Sequence, residues 1–240
     1  MDNAVYLTLS RQLMLIDDMD VTANNLANQN TSGYQATHSL FTSYLVNDDG
    51  RGNMAFANNI STYRSLDSGG LTMTGNPLDI AIDGDGYIVV QAPQGQRYTR
   101  AGALKINTAG SLVTAQGYPV LDTGGQQIFF NPEDREITIG SAGNISINGS
   151  ERGQLDIVAF DSPQSMVKEG DGLLSTGATP NPATNVRVVQ GALESANVKP
   201  VVEMTHMIKV SQGADESAKV IQIVYDLESR SATAWTQQVA

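Results

Sequence analysis

Apolar residues recur every three or four positions at both ends of this chain, but alternate with polar residues through much of its middle. The first spacing places side chains on one face of an α-helix, and the second places them on one face of a β-strand. The sequence therefore predicts an α+β fold in which N- and C-terminal helices bracket an antiparallel all-β domain, either a barrel or a sandwich.

The N-terminal pattern is spaced alternately by four and three residues, and Gln12 is its only polar member. Its positions are Val5, Leu9, Gln12, Ile16, Met19, Ala23 and Leu26. This a/d spacing indicates a helix that packs against other helices. An ordinary amphipathic core helix and a coiled-coil seam are both compatible with so few heptads.

The C-terminal pattern begins after Asn197–Pro200. Its positions are Met207, Val210, Ala214, Ser217, Ile221, Val224, Ser231 and Trp235, widened by Met204, Ile208, Ala218 and Tyr225. Because each fully buried large side chain contributes about 1.5–3 kcal/mol, such a stripe predicts a packing partner. We expect the terminal helices to form a coiled-coil-like pair, with part of the stripes left for other subunits. The candidate interface residues are Val5, Leu9, Ile16, Met19, Leu26, Met207, Val210, Ile221 and Val224.

The middle of the chain carries many short strand patterns separated by Gly, Asp and Asn turn residues, among them "LDIAID", "YIVVQ", "SLVTA", "QIFF" and "NISIN". These patterns predict four regions. The regions are an N-terminal helix over 1–35, an extended or irregular connector over 36–75, an all-β domain over 76–190 and a C-terminal helix over 191–240. The connector is predicted from its polar, glycine-containing text and weak periodicity.

The stretch "NNLANQNTSGYQA", residues 24–36, follows the first helical pattern. Asn and Thr side chains bond to nearby backbone groups and so end helices, and Gly33 can adopt the positive φ of a helix stop or tight turn. The stretch therefore predicts the end of the helix followed by a turn.

Composition excludes several classes of function. Only 16% of the residues are charged and the net charge is −11, so a nucleic-acid partner would be repelled. The absence of cysteine excludes disulfides and Cys-ligated zinc. The N-terminus has no basic region and Arg11 interrupts its apolar residues, so we expect no cleaved secretory signal. No uncharged apolar run is long enough to span a membrane, and membrane insertion is not expected.

The acidic stretch around "DIAIDGDGYIVV" invites comparison with a calcium-binding loop. An EF-hand loop that begins at Asp83 needs an oxygen ligand where Tyr87 stands and a glutamate where Gln94 stands. We therefore predict that Asp83 and Asp85 are hairpin-turn residues and not metal ligands.

No group of residues predicts catalysis. Gly84 and Gly86 begin a G-x-G pattern, but Val89 replaces the third glycine of a dinucleotide-binding loop. The only histidines, His38 and His206, have no Ser, Cys or acidic cluster beside them in the sequence, which favours surface or packed roles. We expect neither an enzyme nor a cofactor.

Three separated motifs carry a resemblance to a known family. They are the stretch over residues 24–36, the pair "GNPLDIAIDGDGYIVVQ" and "YTRAGALKINTAGSLVTAQGYPVL", and the closing "GALESANVKPVVEMTHMI". In this order they resemble the axial proteins of the bacterial flagellum, the rod and hook family, along essentially the whole chain. Within that family the short length, the start "MDNAVYLTLS" and the compact β section are most similar to proximal-rod members. A distal-rod subunit is the alternative, and a secreted β-domain adhesin or binding module is a less favoured one.

The resemblance implies a non-enzymatic building block that polymerises into the helical drive shaft crossing the periplasm. It implies export by the flagellar type III apparatus without signal cleavage, and other rod and hook-side subunits as partners. It also implies a signature turn that fixes where the helix stops and where the connector leaves the tube. The signature residues are Asn24, Asn25, Leu26, Ala27, Asn28, Thr31, Gly33 and Tyr34.

One departure from the family concerns the last helix, where members commonly read like "QRAYEANAKVI" and this chain reads "SQGADESAKVI". Gly213 replaces a better helix former at a cost of about 1 kcal/mol, and Ala214 stands where an aromatic residue is usual. We therefore expect a weaker helix at this point.

Overall fold

The computed structural model of the protein describes residues 2–48, 52–131, 133–134 and 136–238. Helix α1 spans Asp2–Ala27 and helix α2 spans Pro200–Gln238. The strands between them are β1 Thr37–Asp48, β2 Gly52–Arg64, β3 Leu71–Met73, β4 Ile80–Asp83, β5 Tyr87–Ala92, β6 Gly95–Thr99, β7 Leu104–Ile106, β8 Leu112–Thr114, β9 Ile137–Ile139, β10 Asn144–Ile147, β11 Ser150–Gln154, β12 Ile157–Ala159, β13 Val167–Lys168, β14 Leu174–Ser175, β15 Asn181–Pro182, β16 Arg187–Gln190 and β17 Ala192–Glu194. Two helical ends around a β-rich middle confirm the predicted α+β class.

The strands pair antiparallel throughout the described part of the chain. The largest sheet has the order β13-β14-β6-β5-β12-β15, and a three-stranded sheet has the order β11-β10-β9. The remaining strands form the pairs β1-β2, β16-β4, β17-β3 and β7-β8.

The chain divides into two compact units. The helix–hairpin unit consists of Met1–Ala27, Thr37–Arg64 and Lys199–Ala240, and the β unit consists of Asn28–Ala36 and Ser65–Val198. The chain therefore passes from one unit to the other four times. These borders differ from the predicted regions, because part of the predicted connector belongs to each unit and the turn after α1 belongs to the β unit.

Most of the region predicted to be an extended or irregular connector consists of strands β1 and β2, which form a long antiparallel hairpin. Thr37 lies opposite Arg64 at one end and Asp48 opposite Gly52 at the other, with an irregularity between Leu40 and Phe41. Leu40 and Phe41 are both exposed. Because these two consecutive apolar residues are both exposed, they do not show the alternation of apolar and polar residues by which a half-buried strand is recognised from sequence. The strands are defined by their backbone pairing.

The β unit encloses an apolar core. Its fully buried members include Ile80, Ile82, Ile88, Leu112, Val120, Ile145 and Leu155. A second buried cluster contains Tyr87, Val89, Tyr98, Leu121, Val158, Phe160, Met166 and Leu174. Alternate residues of β5 belong to different clusters, so this strand is buried on both faces.

Asp83 ends β4, and Asp85 lies in the bend that leads to β5, where Gly84 has a φ of 112°. The predicted hairpin is wrong, because β4 pairs with β16 whereas β5 pairs with β6 and β12. The predicted strand "QIFF" forms only isolated bridges at Gln127 and Phe129.

Candidate assembly site

Helices α1 and α2 pack antiparallel within the helix–hairpin unit. Near the C-terminal end of α1, the Asn25 Nδ2 donates to Glu203 Oε2 at 3.3 Å. Two helical turns earlier on α1, Asp18 Oδ2 lies 2.8 Å from His206 Nε2 of α2. Toward the other end of the pair, Leu15 lies beside Gly213, where an added methyl group would meet Leu15 Cδ1 at 3.4 Å. Contacts from two distant parts of the sequence therefore align the helices.

The side of α1 that faces α2 is strongly polar at its C-terminal end. Asp18, Thr22 and Asn25 are all buried there, as is Glu203 on α2. Thr22 Oγ1 donates to the Asp18 carbonyl at 2.8 Å. Buried polar groups are tolerated when they find hydrogen-bond partners, and such pairs favour one alignment over others. The Asp18–His206 pair was missed from the sequence because its partners are separated by 188 positions.

Asn25 also anchors the first strand of the hairpin. Its Nδ2 donates to the Thr37 carbonyl at 2.7 Å, and its Oδ1 accepts from the Thr37 backbone N–H at 2.9 Å. The amide thus pairs with one residue of β1 as a neighbouring strand would. This pairing explains why the polar side chain of Asn25 can be buried, with only 1% of the residue exposed.

The predicted N-terminal stripe contains both exposed and partly buried residues. Leu9 and Ile16 are exposed, whereas Val5, Met19 and Leu26 are partly buried. Contacts with α2 are made by Leu15, Asp18 and Asn25. Apolar periodicity identified the helix correctly but did not identify which side meets α2, because polar side chains occupy part of that contact.

The predicted C-terminal stripe has a different placement. Val210 is buried, and Met207, Ile221 and Val224 are partly buried. The small residues Gly213, Ala214 and Ser217 lie among them, and the Ser217 hydroxyl donates to the Gly213 carbonyl at 2.8 Å. A groove of about 490 Å³ separates this part of α2 from the first half of α1, lined by Leu7, Thr8, Arg11, Met14, Glu216, Ser217 and Val220.

The signature residues divide between the two units. Asn24, Asn25, Leu26 and Ala27 complete α1, with Asn24 and Ala27 exposed and Leu26 partly buried. Asn28 and Thr31 begin the turn: the Thr31 N–H donates to the Asn28 carbonyl at 3.0 Å, and the Thr31 hydroxyl donates to Asn28 Oδ1 at 3.2 Å. The predicted helix end followed by a turn is confirmed.

Gly33 is required in this turn for two reasons. Its φ is +69°, a left-handed conformation that L side chains rarely adopt, which confirms the predicted positive φ. A Cβ at this position would also overlap the backbone of Arg100 and Ala101. The Gly33 N–H donates to the Glu194 carbonyl at 2.8 Å. The turn is therefore packed directly onto the backbone of the β unit.

Tyr34 and its neighbours are held by Lys168 and Asn197. The Lys168 ammonium lies 4.1 Å from the centre of the Tyr34 ring and donates to the Gln35 carbonyl. Such cation–π contacts contribute about 0.5–2 kcal/mol. Asn197 Oδ1 accepts from the Ala36 N–H at 2.6 Å, while its backbone N–H donates to the Tyr34 carbonyl at 3.2 Å.

A buried ion pair lies beside the signature turn. Arg100 Nε and Glu194 Oε2 are 2.8 Å apart, and both side chains are 3% exposed. The guanidinium also donates to the carbonyls of Gly84 and Gly86, both at 3.1 Å, and Glu194 Oε1 accepts from the Gly69 N–H at 3.0 Å. Residues from "IDGDGY", "YTRAG" and "LESAN" therefore meet at one pair. The sequence did not predict this ion pair, although Arg100 and Glu194 are each the only charged residue among small, polar and apolar neighbours.

A cavity of the β unit, about 540 Å³, includes Asp156 in its lining. Partial burial, and then the nearby Asp122 carboxylate, raise the pKa of Asp156 above its ordinary value. Among the residues that the structure describes, no cluster of three metal-binding side chains occurs. Over the same residues, no helix is both long and apolar enough to cross a membrane.

Three family profiles match the chain in the order of the motifs. "Flagella basal body rod protein" matches residues 18–35, "Flagellar hook protein FlgE/F/G D1 domain" matches residues 81–147, and "Flagellar basal body rod FlgEFG protein C-terminal" matches residues 189–233. The first match contains most of the signature stretch. The third contains Glu194, Asn197 and the start of α2.

Similar proteins extend the match over nearly the whole chain. The chain is 37% identical to the flagellar basal-body rod protein FlgF of Caulobacter vibrioides over 238 residues, which covers 97% of each protein. It is 32% identical to FlgF of Salmonella typhimurium, over 96% of this chain and 97% of that protein. It is also 32% identical to the flagellar basal-body rod protein FlgG of Bacillus subtilis, over 85% of this chain and 88% of that protein.

Proposed function

The chain belongs to the flagellar basal-body rod protein family, and we propose that it is a proximal-rod subunit of the FlgF type that assembles through its terminal helices. Members of this family are structural proteins and not enzymes. The observation that carries the proposal is the pair of antiparallel helices α1 and α2, whose outward faces remain apolar and exposed.

Identity to named relatives favours the proximal position over the distal one. Five FlgF proteins match at 31–37% identity over 90–97% of this chain. Matches to FlgG proteins are 30–32% identical and cover 85–88% of it. A distal-rod subunit is the alternative assignment.

The exposed helix faces supply a physical reason to polymerise. Four large apolar side chains on α1 are at least 43% exposed, and burying each one contributes up to about 1.5–3 kcal/mol before the cost of association is subtracted. Contacts between different faces of neighbouring subunits generate an open helical assembly when the rotation between subunits does not close into a ring. The resulting tube would transmit torque across the periplasm as the flagellar drive shaft.

The proposed location is the basal body, and the proposed partners are other proximal and distal rod subunits together with neighbouring copies. We further propose export by the flagellar type III apparatus without signal cleavage, which rests on the resemblance to the axial proteins. Recovery of the chain from purified basal bodies, followed by mass spectrometry of its N-terminal peptide, tests both statements.

Two finer features of the fold belong to the same proposal. The β unit is proposed to be a barrel or sandwich, supported by its two buried apolar clusters. Helices α1 and α2 are proposed to act as a coiled-coil-like pair, and the residues proposed for the interface through which the subunit assembles are Val5, Leu9, Ile16, Met19, Leu26, Met207, Val210, Ile221 and Val224. The buried residues Glu203, Val210 and Ser217 of α2 recur every seven positions, which supports a coiled-coil-like geometry.

The test is genetic replacement in the source bacterium. Cells without the chain should fail to swim and should lack complete rods in electron micrographs of basal bodies. Chains without residues 2–27 or residues 200–238 should fail in the same way, whereas the matched control Val167→Ser, at an exposed position of the β unit, should restore swimming. Absence of the full chain from purified basal bodies would overturn the assignment.

A further inference from the structure

A cavity of about 290 Å³ lies within the helix–hairpin unit. Its lining combines residues of both helices with residues of strands β1 and β2. The only two histidines of the chain, His38 and His206, are both among them, although they are far apart in the sequence. A water molecule occupies roughly 30 Å³ of liquid, so the cavity has room for a group larger than one water.

Two carboxylates line this cavity and are almost completely buried. Asp18 and Glu203 are each 8% exposed. Asp18 is paired with His206, but Glu203 forms no ion pair with any residue that the structure describes. Glu203 Oε2 accepts one long hydrogen bond, from Asn25 Nδ2 at 3.3 Å. Because an ionised carboxylate can accept about four hydrogen bonds, Glu203 has acceptor capacity left for a further donor.

A hydroxyl group in the same lining indicates independently that a donor is missing. Within the described part of the chain, the Oγ of Ser39 is buried and has no hydrogen-bond partner. Leaving a buried polar atom unpaired is costly, and such atoms are rare in folded proteins. Ser39 lies on β1, whereas Glu203 lies on α2, so the two acceptors come from different elements of the lining.

Aromatic rings stand where the cavity opens to solvent. Tyr63 and Phe41 line it and are 47% and 36% exposed, and the His38 ring lies 5.4 Å from the Tyr63 ring. Aromatic faces attract cations. No lysine or arginine occurs among the described lining residues, and Arg64, which is buried opposite Thr37 on β2, is not one of them. The cavity therefore combines an aromatic opening with a buried negative charge.

We propose that this cavity binds an alkylguanidinium or alkylammonium group. Its N–H groups donate to Glu203 and Ser39, and its charge lies against the rings of Tyr63 and Phe41. A neutral ligand would leave Glu203 without a counter-charge, and an anionic one would be repelled. The cationic group belongs either to a basic side chain of another protein or to a free polyamine.

Titration of the full-length chain with ethylguanidinium at about pH 7.5, above the ordinary imidazole pKa of about 6.5, tests the site. The NMR signals of the Ser39 and Thr37 amides should shift saturably, whereas uncharged N-ethylurea should shift neither. The Thr37 N–H donates to Asn25 Oδ1, so its protection from solvent exchange verifies that α1 and β1 are in place during the titration.

A matched pair of variants tests the role of the carboxylate. Glu203→Gln keeps an oxygen for Asn25 but removes the charge, and should weaken ethylguanidinium binding about tenfold, as expected for loss of a hydrogen bond to a charged group. Glu216→Gln makes the same change at an exposed position of α2 outside the cavity and should leave the affinity unchanged. Equal binding by the Glu203→Gln and natural chains, an equal response to N-ethylurea, or no response to ethylguanidinium overturns the proposed site.

Photo-cross-linking in cells separates the two sources of the cation. A full-length chain with p-benzoylphenylalanine in place of Tyr63 should link to a peptide that contains arginine or lysine if a side chain fills the cavity, and to no protein if a free polyamine fills it. The same photo-reactive residue in place of Val167, at an exposed position of the β unit, should not link to that peptide. A linked peptide without a basic residue contradicts the proposal. None of these results bears on the rod assignment, which depends on recovery from basal bodies and on swimming.

Discussion

The two units of this protein differ in how much apolar surface they bury. The β unit encloses isoleucine, leucine and valine, and its Arg100–Glu194 pair is surrounded by hydrogen-bonding partners. The helix–hairpin unit buries Asp18, Thr22 and Asn25 between its helices and leaves large apolar residues exposed outside. A unit that hides its apolar surface is complete in one copy. A unit that exposes this surface obtains much of its remaining stabilisation from neighbours.

The largest expected effect breaks the buried pair of the β unit. Glu194→Gln leaves the Arg100 guanidinium buried with its counter-charge removed, which should cost about 3–5 kcal/mol of unfolding free energy. Denaturant unfolding followed by circular dichroism measures this loss. The matched control is Glu169→Gln, which removes the partner of Arg97 at a more exposed pair and should have a much smaller effect. Equal losses in the two variants would mean that burial of the first pair is unimportant.

The next effect separates the two reasons for glycine in the signature turn. Gly33→Ala should destabilise the β unit by about 2–4 kcal/mol for two reasons. The alanine would have to adopt a left-handed backbone conformation, and its methyl group would overlap the backbone of Arg100 and Ala101. Gly75→Ala is the control, since Gly75 also has a positive φ, of 75°, but open space around it. It should cost about 1 kcal/mol. Thermal unfolding of both variants gives the comparison, and similar losses would remove the packing argument.

A smaller effect of opposite sign concerns the helix pair. Gly213→Ala should stabilise the helix–hairpin unit by about 1 kcal/mol, because alanine favours helix and its methyl group would reach Leu15 at ordinary contact distances of 3.4 and 3.7 Å. The reverse change one position later, Ala214→Gly, should destabilise it by a similar amount. Hydrogen exchange of α2 amides measures both. Destabilisation by Gly213→Ala would show that the helices need the closer approach that glycine allows.

Sequence reasoning recovered what depends on local pattern. It placed both helices, the turn after Ala27 and the strands around Ile82, Ile88 and Leu112. These features depend on apolar periodicity and turn residues, which are visible within a short stretch of the chain. It missed the β1–β2 hairpin, whose first strand exposes apolar residues and so shows no alternation.

It also missed features that depend on distant pairing. The Arg100–Glu194 pair joins positions 94 residues apart, and the Asp18–His206 pair joins positions 188 apart. Neither leaves a local pattern. For the same reason, the sequence did not reveal that polar residues make part of the contact between α1 and α2 while Leu9 and Ile16 remain exposed.

The smallest expected effect concerns the Asp156 carboxylate, whose charged form is disfavoured by its position in the β unit. Partial burial and the neighbouring Asp122 raise the pKa of Asp156 in the folded protein, so its ionisation opposes folding. The penalty is absent below the ordinary pKa of an unfolded aspartate, about 3.9, and grows as pH rises through the raised folded pKa. Asp156→Asn should therefore increase the unfolding temperature at pH 7, and this gain should disappear near pH 3. The control Asp85→Asn makes the same chemical change at an exposed bend of the β unit. A gain that persists unchanged at pH 3 would assign the effect to packing and not to charge.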